Sequence, residues 1–287
     1  MNAAGSVEGT APDGSTAGSA IGLSSYAYFW QLSDRVSTPI TLVQALQRTA
    51  DLGVHLFQIC DYEPLAGMTE AQLDAVARAA RELGVRLEVG TKGIRPEHLR
   101  HFLAICLRLD AHLLRTMFRT PEHAPSPDEA ERLLRDVLGE FERAGVSIAI
   151  ETYEQVPTRD VLRVVRNVGS PSLGICLDPG NVVAALESPI KTIDAVAPYV
   201  LNLHVKDFAF ARQEGWVGFT YSGARLGEGL LDYDHMIEAV RPVQRGINQI
   251  VEHWLPWQRT EEETVRLEQE WTAHSVEFLR ERNPAAE

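Results

Sequence analysis

Eight short apolar runs alternate with amphipathic segments from residue 21 to the C-terminus, and this rhythm constrains the fold more than any other property of the sequence. The predicted strands cover 21–25, 55–60, 85–90, 112–117, 146–152, 173–178, 199–206 and 247–253. Predicted helices at 39–52, 69–83, 96–109, 127–144, 158–168, 189–196, 233–240 and 260–280 separate and follow them. Thr38 and Pro39 punctuate the start of the first helix, and Gly53, Gly84 and Gly145 close the helices before them. A helix in every connection implies parallel strands. Eight such units favour a closed (β/α)8 TIM barrel, in a single domain, over an open doubly wound sheet. No Gly-x-Gly-x-x-Gly follows the first strand, which argues against a dinucleotide domain.

Composition narrows the function class. The 287 residues are 45% hydrophobic and 23% charged, as in ordinary globular proteins. A net charge of −13 argues against nucleic-acid binding, which needs a basic face. No run approaches the ~18 apolar residues of a membrane span. Cys60, Cys106 and Cys176 lie in apolar stretches without metal or redox spacing, and read as reduced core residues of a cytoplasmic protein. Residues 1–20 are rich in Gly, Ala and Ser, lack Lys and Arg, and read as a disordered extension ahead of a barrel at 21–283.

Four of the strands end in a polar residue. Glu151 follows Val146-Ser147-Ile148-Ala149-Ile150, and Asp178 follows Leu173-Gly174-Ile175-Cys176-Leu177. His204 follows Tyr199-Val200-Leu201-Asn202-Leu203, and Glu252 follows Ile247-Asn248-Gln249-Ile250-Val251. A strand that buries apolar side chains should not end in a carboxylate without compensation. A single such ending is commonly a cap for the next helix. Four on the last four strands, all at the catalytic end of a barrel, read as one divalent-cation site. Three carboxylates and an imidazole suit Mn²⁺, favoured here, and also Mg²⁺, Co²⁺ or Zn²⁺.

With these residues the chain resembles the sugar isomerase/epimerase superfamily, the xylose-isomerase-like TIM barrels. The resemblance covers roughly 21–280 and is carried by Ile150-Glu151-Thr152, Leu177-Asp178-Pro179-Gly180-Asn181, Leu203-His204-Val205-Lys206-Asp207, Leu226-Gly227-Glu228-Gly229 and Val251-Glu252-His253. It implies a shared metal site but not a shared substrate. Ketose 3-epimerases usually carry a histidine where this chain has Asn181 and an arginine where it has Phe210. The extra histidines of endonuclease IV are missing. Four segments are similar to a narrower group, the 3-oxo-isoapionate decarboxylases: Phe57-Gln58-Ile59-Cys60-Asp61-Tyr62, Glu151-Thr152-Tyr153-Glu154-Gln155-Val156-Pro157, Gly215-Trp216-Val217-Gly218-Phe219 and Glu252-His253-Trp254-Leu255-Pro256-Trp257.

A metal held by this quartet would act as a Lewis acid and stabilise an enediolate next to a ketone. Loss of CO₂ makes the protein a decarboxylase of a small 3-oxo sugar acid in carbohydrate catabolism. Loss and return of a proton, with Glu151 and Glu252 as acid and base, makes it a sugar isomerase or epimerase. Departure of a β-group gives dehydration or C-glycoside cleavage, and a sugar-binding barrel with a structural metal is a non-catalytic alternative. Lys206, two residues after His204 and so on the same strand face, is the candidate cation for a substrate carboxylate. Lys92 and Arg115 are weaker candidates. A neutral sugar has no use for such a cation, so the acid substrate is preferred. Asn181 either bonds Asp178 or meets substrate. Aromatic residues gather near the expected mouth: Tyr26, Tyr28, Phe29, Trp30, Tyr62, Trp216, Phe219, Trp254 and Trp257. Tyr26 and Trp216 are the expected substrate contacts among them, with barrel plug or homo-oligomer interface as the structural alternatives. The excursion at 207–231 reads as a lid. His253 reads as a packed residue, and Glu228 as a structural one bonding backbone amides.

Overall fold

Each barrel strand is short and almost wholly buried, as a parallel strand must be when it lies between an inner side-chain layer and an outer helical one. The computed structural model describes residues 19–213, 215 and 217–284. In chain order the main elements are β1 (Ile21–Ser24), α1 (Phe29–Leu32), α2 (Leu42–Asp51), β2 (Leu56–Ile59), α3 (Glu70–Glu82), β3 (Arg86–Gly90), α4 (Pro96–Leu109), β4 (Leu113–Thr116), α5 (Pro127–Ala144) and β5 (Ser147–Glu151). They continue with α6 (Thr158–Val168), β6 (Leu173–Leu177), α7 (Pro179–Val183), α8 (Pro189–Val196), β7 (Val200–Val205), β8 (Phe208–Arg212), β9 (Phe219–Gly223), α9 (Tyr233–Val240), α10 (Pro242–Arg245), β10 (Asn248–Val251) and α11 (Glu261–Arg282). The strands close as β1-β10-β7-β6-β5-β4-β3-β2, every neighbour parallel. The expected (β/α)8 barrel is therefore the fold.

The main core lies between strands and helices, where Leu23, Phe57, Ile59, Val89, Leu114, Ile148, Ile150 and Leu203 meet Leu46, Val76, Leu99, Leu134, Phe141 and Val164. Helix starts follow the capping rules. Thr41 and Thr69 make reciprocal capping boxes with Gln44 and Gln72, and Ser126 caps α5 just before Pro127.

Several features were not visible in the strand–helix rhythm. The excursion after β7 is an antiparallel hairpin, β8–β9, whose Tyr221 hydroxyl donates to the Gly180 carbonyl at 2.6 Å. Phe210 and Phe219 lie exposed on it. Glu228, expected to bond backbone amides, instead pairs with Arg225 at the surface, and Asp207 does the amide work. Its carboxylate accepts from the backbone nitrogens of Phe208, Gly227, Gly229 and Leu231 at 2.8–2.9 Å. Three short helices, α1, α7 and α10, also escape the rhythm, because none spans two turns. Of the stretch read as an extension at 1–20, Ser19 and Ala20 are packed on the barrel: Ser19 is buried and donates to the Ile247 carbonyl at 2.6 Å, and Ala20 N donates to Asn248 Oδ1 at 3.1 Å. Residues 1–18 lie outside the described residues. Among the described residues, no helix is long and apolar enough to cross a membrane.

One irregularity matters for the site. Ile175 pairs with Val200, but Cys176 pairs with Asn202, so Leu201 is an extra residue in β7. Gly174 makes room for it: a Cβ there would lie 2.5 Å from Leu201 Cγ and 2.6 Å from the Tyr199 carbonyl oxygen. Beyond the bulge, Asn202, His204 and Lys206 all turn to the barrel axis.

The turn that carries Tyr26 into the mouth is anchored by a buried carboxylate. Glu268 on α11 accepts from Trp30 N at 2.8 Å, Gln31 N at 3.2 Å and Gln31 Nε2 at 2.9 Å. Burial nevertheless pushes the Glu268 carboxyl from its ordinary 4.5 up to about 7. The folded state thus holds this proton more tightly than the unfolded one, so Glu268 lowers stability as pH rises from 4.5 through about 7. The loss is about 3 kcal/mol in total. Thermal unfolding of the wild type and Glu268→Gln across that range is expected to show their stability difference drifting against the wild type as pH rises; a difference independent of pH refutes the assignment.

Candidate metal centre and active site

The four polar strand endings converge at the C-terminal rim of the barrel, and all are nearly or wholly buried. His204 Nδ1 lies 3.4 Å from Glu151 Oε1, 3.5 Å from Glu252 Oε2 and 3.8 Å from Asp178 Oδ2. Glu151, Asp178 and His204 offer ligand atoms within 4.8 Å of one another. Cys60, His204 and Glu252 do the same, which brings a thiol that had read as core packing to the edge of the site. His204 Nδ1 is buried without a hydrogen-bond partner. Asp178 Oδ2 and Glu151 Oε2 have cationic neighbours in Lys206 and Arg115, but His204 Nδ1 faces only carboxylate oxygens, and a buried imidazole nitrogen gathered with three carboxylates is the donor set of a cation. The residues therefore fit a divalent cation.

Asp178 does two jobs. Its Oδ1 caps α7, accepting from Gly180 N at 2.9 Å and Asn181 N at 3.2 Å. Its Oδ2 faces the site and lies 2.6 Å from Lys206 Nζ. Burial opposes its ionisation, but Lys206 and His204 hold its pKa down at about 2. One oxygen thus serves as the helix cap, and the other is turned toward the site.

Lys206 is 3% exposed. Its ammonium also lies 3.2 Å from Glu252 Oε2 and 3.3 Å from Asn181 Oδ1, over the Trp254 ring at 4.0 Å from its centre. Burial works against the charge, but Asp178, Glu252 and Glu151 raise the Lys206 pKa above its ordinary value. Asn181 bridges the cluster: its Nδ2 donates to Glu151 Oε1 at 2.7 Å while its Oδ1 accepts from Lys206. Its side chain does not bond Asp178; only its backbone nitrogen does.

On the far side, Arg115 is buried and pairs with Glu151 Oε2 and, at 2.9 Å, with Asp61 Oδ1. Asp61 also accepts from the Tyr26 hydroxyl at 3.2 Å and pairs with Lys92 at 3.2 Å. Burial opposes its charge, but Arg115 and Lys92 bring its pKa below the usual carboxylate range. Arg115 is buried among these partners, whereas Lys92 is half exposed. Ser24 donates to Glu252 Oε1 at 3.2 Å.

The remaining expected contacts divide. Tyr26 stands at the mouth, half-buried, stacked on Phe29. Trp254 backs Lys206 and meets Tyr221 edge-on. Trp30 donates to the Leu255 carbonyl at 2.7 Å and packs on Trp257, as a plug would. Tyr28 is not at the mouth; it is buried against Phe57 in the core. Trp216 lies outside the described residues. His253 is packed, as expected: its Nε2 is 3.3 Å from Thr272 Oγ1, its ring meets Trp271, and burial brings its pKa down to about 3.

Residues 46–282 match the family model of the xylose isomerase-like TIM barrel. The chain belongs to this family. It is 55% identical over 267 residues to the 3-oxo-isoapionate decarboxylase of Pectobacterium atrosepticum, covering 93% of this chain and 97% of that protein. Among solved structures it resembles a D-psicose 3-epimerase crystallised with D-fructose, with a TM-score of 0.68 and 13% identity, over 91% of this chain and 98% of that one. It also resembles a xylose isomerase-like TIM barrel protein from Mycobacterium smegmatis in complex with magnesium, with a TM-score of 0.63 and 17% identity over the same shares. At these identities the structural likeness is one of fold.

Proposed function

We propose that this barrel is a divalent-metal-dependent decarboxylase of a small 3-oxo sugar acid, of the 3-oxo-isoapionate type, serving carbohydrate breakdown. The extended identity to a 3-oxo-isoapionate decarboxylase supports the reaction class. The observation in the site that carries the reading is its charge balance. Glu151, Asp178, Glu252 and Asp61 are paired with Arg115, Lys206 and Lys92, one cation short of neutrality. A divalent cation reverses that deficit to a single positive charge, which a monoanionic substrate neutralises and a neutral sugar does not.

Glu151, Asp178, His204 and Glu252 would hold the cation, with Mn²⁺ favoured. Bound there, it supplies a Lewis acid for a keto oxygen and an adjacent hydroxyl. Lys206 and the Trp254 face beneath it hold the substrate carboxylate and the charge it leaves behind. When CO₂ departs, the bonding electron pair stays on the carbon next to the ketone, and one proton must reach that carbon. Glu151 and Glu252, whose carboxylates line the site, would deliver it. Asn181 keeps Glu151 and Lys206 at a fixed separation, and Tyr26 contacts the substrate at the mouth. The free cysteines Cys60, Cys106 and Cys176, all buried, suit a reducing, cytoplasmic compartment.

The test is to incubate Mn²⁺-loaded protein in D₂O with a panel of 3-oxo sugar acids and with neutral ketoses. The expected result is CO₂ release from an acid with one deuterium taken into the product. Deuterium uptake into a neutral ketose without CO₂ release from any acid overturns this reading and establishes the isomerase alternative.

A further inference from the structure

Below the metal site, the barrel interior contains a second polar layer. Gln58 on β2, Glu88 on β3, Asn202 on β7 and Asn248 on β10 fill it, drawn from strands far apart in sequence. Gln58 and Asn202 are 0% exposed and Glu88 is 4% exposed. Gln58 Oε1 lies 2.8 Å from His204 Nε2. Gln58 Nε2 donates to Glu88 Oε2 at 3.0 Å and to Asn202 Oδ1 at 3.1 Å. Glu88 also accepts from Asn202 Nδ2 at 3.0 Å and from Asn248 Nδ2 at 2.6 Å.

This arrangement leaves the Gln58 amide one orientation. Rotating it by half a turn would set its carbonyl oxygen against the Asn202 carbonyl oxygen, which is itself held in place by Asn202 Nδ2 donating to Glu88, and would take from Glu88 the amide donor it has in Gln58. The amide oxygen must therefore point up, at His204 Nε2. Two acceptors cannot share a hydrogen bond, so Nε2 carries the hydrogen. The other nitrogen, Nδ1, is the one that faces Glu151, Asp178 and Glu252 and has no hydrogen-bond partner. A metal-binding histidine needs its second nitrogen held in this way, since the partner fixes both the ring orientation and the ligating atom.

We infer that Gln58, oriented by Glu88 and Asn202, is the positioning residue that presents His204 Nδ1 to the cation. The inference rests on the metal-site reading above and assigns a role to residues that the mechanism does not otherwise use. Glu88 acts through Gln58 and touches neither ligand nor substrate.

The test uses the full chain, stripped of metal with a chelator and titrated with Mn²⁺ by calorimetry. Gln58→Leu removes the acceptor and is expected to weaken Mn²⁺ binding about 10–100-fold. Exchanging the pair, Gln58→Glu with Glu88→Gln, keeps an acceptor above and, with the Asn202 amide turned over to match, a hydrogen-bonding partner below, and is expected to recover affinity to within about threefold of wild type, a small fraction of that loss. A structural role in the core would not be rescued by moving a charge up one position. Wild-type protein loaded with Zn²⁺ provides a readout free of mutation: proton–nitrogen correlation spectra are expected to show His204 carrying a slowly exchanging Nε2 hydrogen, with zinc on Nδ1. If the wild type binds Mn²⁺ and Gln58→Leu binds it equally well, or if zinc sits on Nε2, the inference is overturned while the metal site stands. If the wild type binds no divalent metal at all, both fall together.

Discussion

Glu151→Gln and Asp178→Asn are each expected to lose bound metal and turnover together. Both substitutions keep the shape of the side chain and remove its charge, leaving two carboxylates where the site has three. Loss of a residue one step removed from a metal costs about 10–100-fold in affinity or activity, so loss of a ligand should cost at least about 100-fold in both. The two variants fail for separable reasons, which makes the pair informative. In Asp178→Asn the amide oxygen can still accept from Gly180 N and Asn181 N, so α7 keeps its cap while the site-facing atom becomes a poor ligand. In Glu151→Gln the ion pair with the buried Arg115 is broken as well. Metal content after dialysis, read by elemental analysis beside CO₂ release, checks the expectation. A variant that keeps both metal and activity removes that residue from the site.

Lys206→Met should separate catalysis from metal binding in the opposite sense. The ammonium lies 2.6 Å from Asp178 Oδ2 and 3.2 Å from Glu252 Oε2, two of the proposed ligands. Removing it leaves buried carboxylates unpaired, and breaking a buried ion pair from one side costs about 3–5 kcal/mol. Metal-free Lys206→Met should therefore unfold well below the wild type. Added Mn²⁺ should restore much of that difference, because the cation replaces the lost charge and meets no competing ammonium. Turnover should still fall about 10²–10³-fold, the typical cost of removing a donor aimed at developing charge. Thermal unfolding with chelator and with Mn²⁺, alongside CO₂ release, gives all three quantities. Near-normal turnover by a metal-loaded variant would remove Lys206 from the chemistry and leave it a structural counter-ion.

The structure explains why some residues were legible in the sequence and others were not. Glu151, Asp178, His204 and Glu252 stood out because each interrupts an apolar run at a strand end, where a charge has no business unless it is used. Gln58, Glu88 and Asn202 interrupt their strands too, but in the middle, and their partners lie on other strands. Only register and barrel closure bring Glu88 to Asn202 and Asn248. Glu228 lies inside the glycine-rich turn, whereas Asp207, the carboxylate the turn wraps around, precedes β8 and is separated from the turn by the whole hairpin, so nothing local links the two. Tyr28 sits among residues that do line the mouth, yet the 3₁₀ turn at Ser25–Tyr28 rotates it inward onto Phe57.

What the sequence determined alone is the part governed by local periodicity: eight parallel strands, the helices between them, and the four strand-end residues that one barrel rim must gather. Those follow because burial of both strand faces and one helix face imposes patterns readable along the chain. The tertiary structure decided what depends on pairing across the barrel. The extra residue at Leu201, accommodated by Gly174, sets the phase of β7 and so turns Asn202, His204 and Lys206 to the axis. The single orientation of Gln58 and the lodging of Lys206 between Asp178 and Glu252 follow from that phase. Such contacts join residues far apart in the chain through hydrogen bonds of a few ångströms, and no local pattern encodes a distance of that kind.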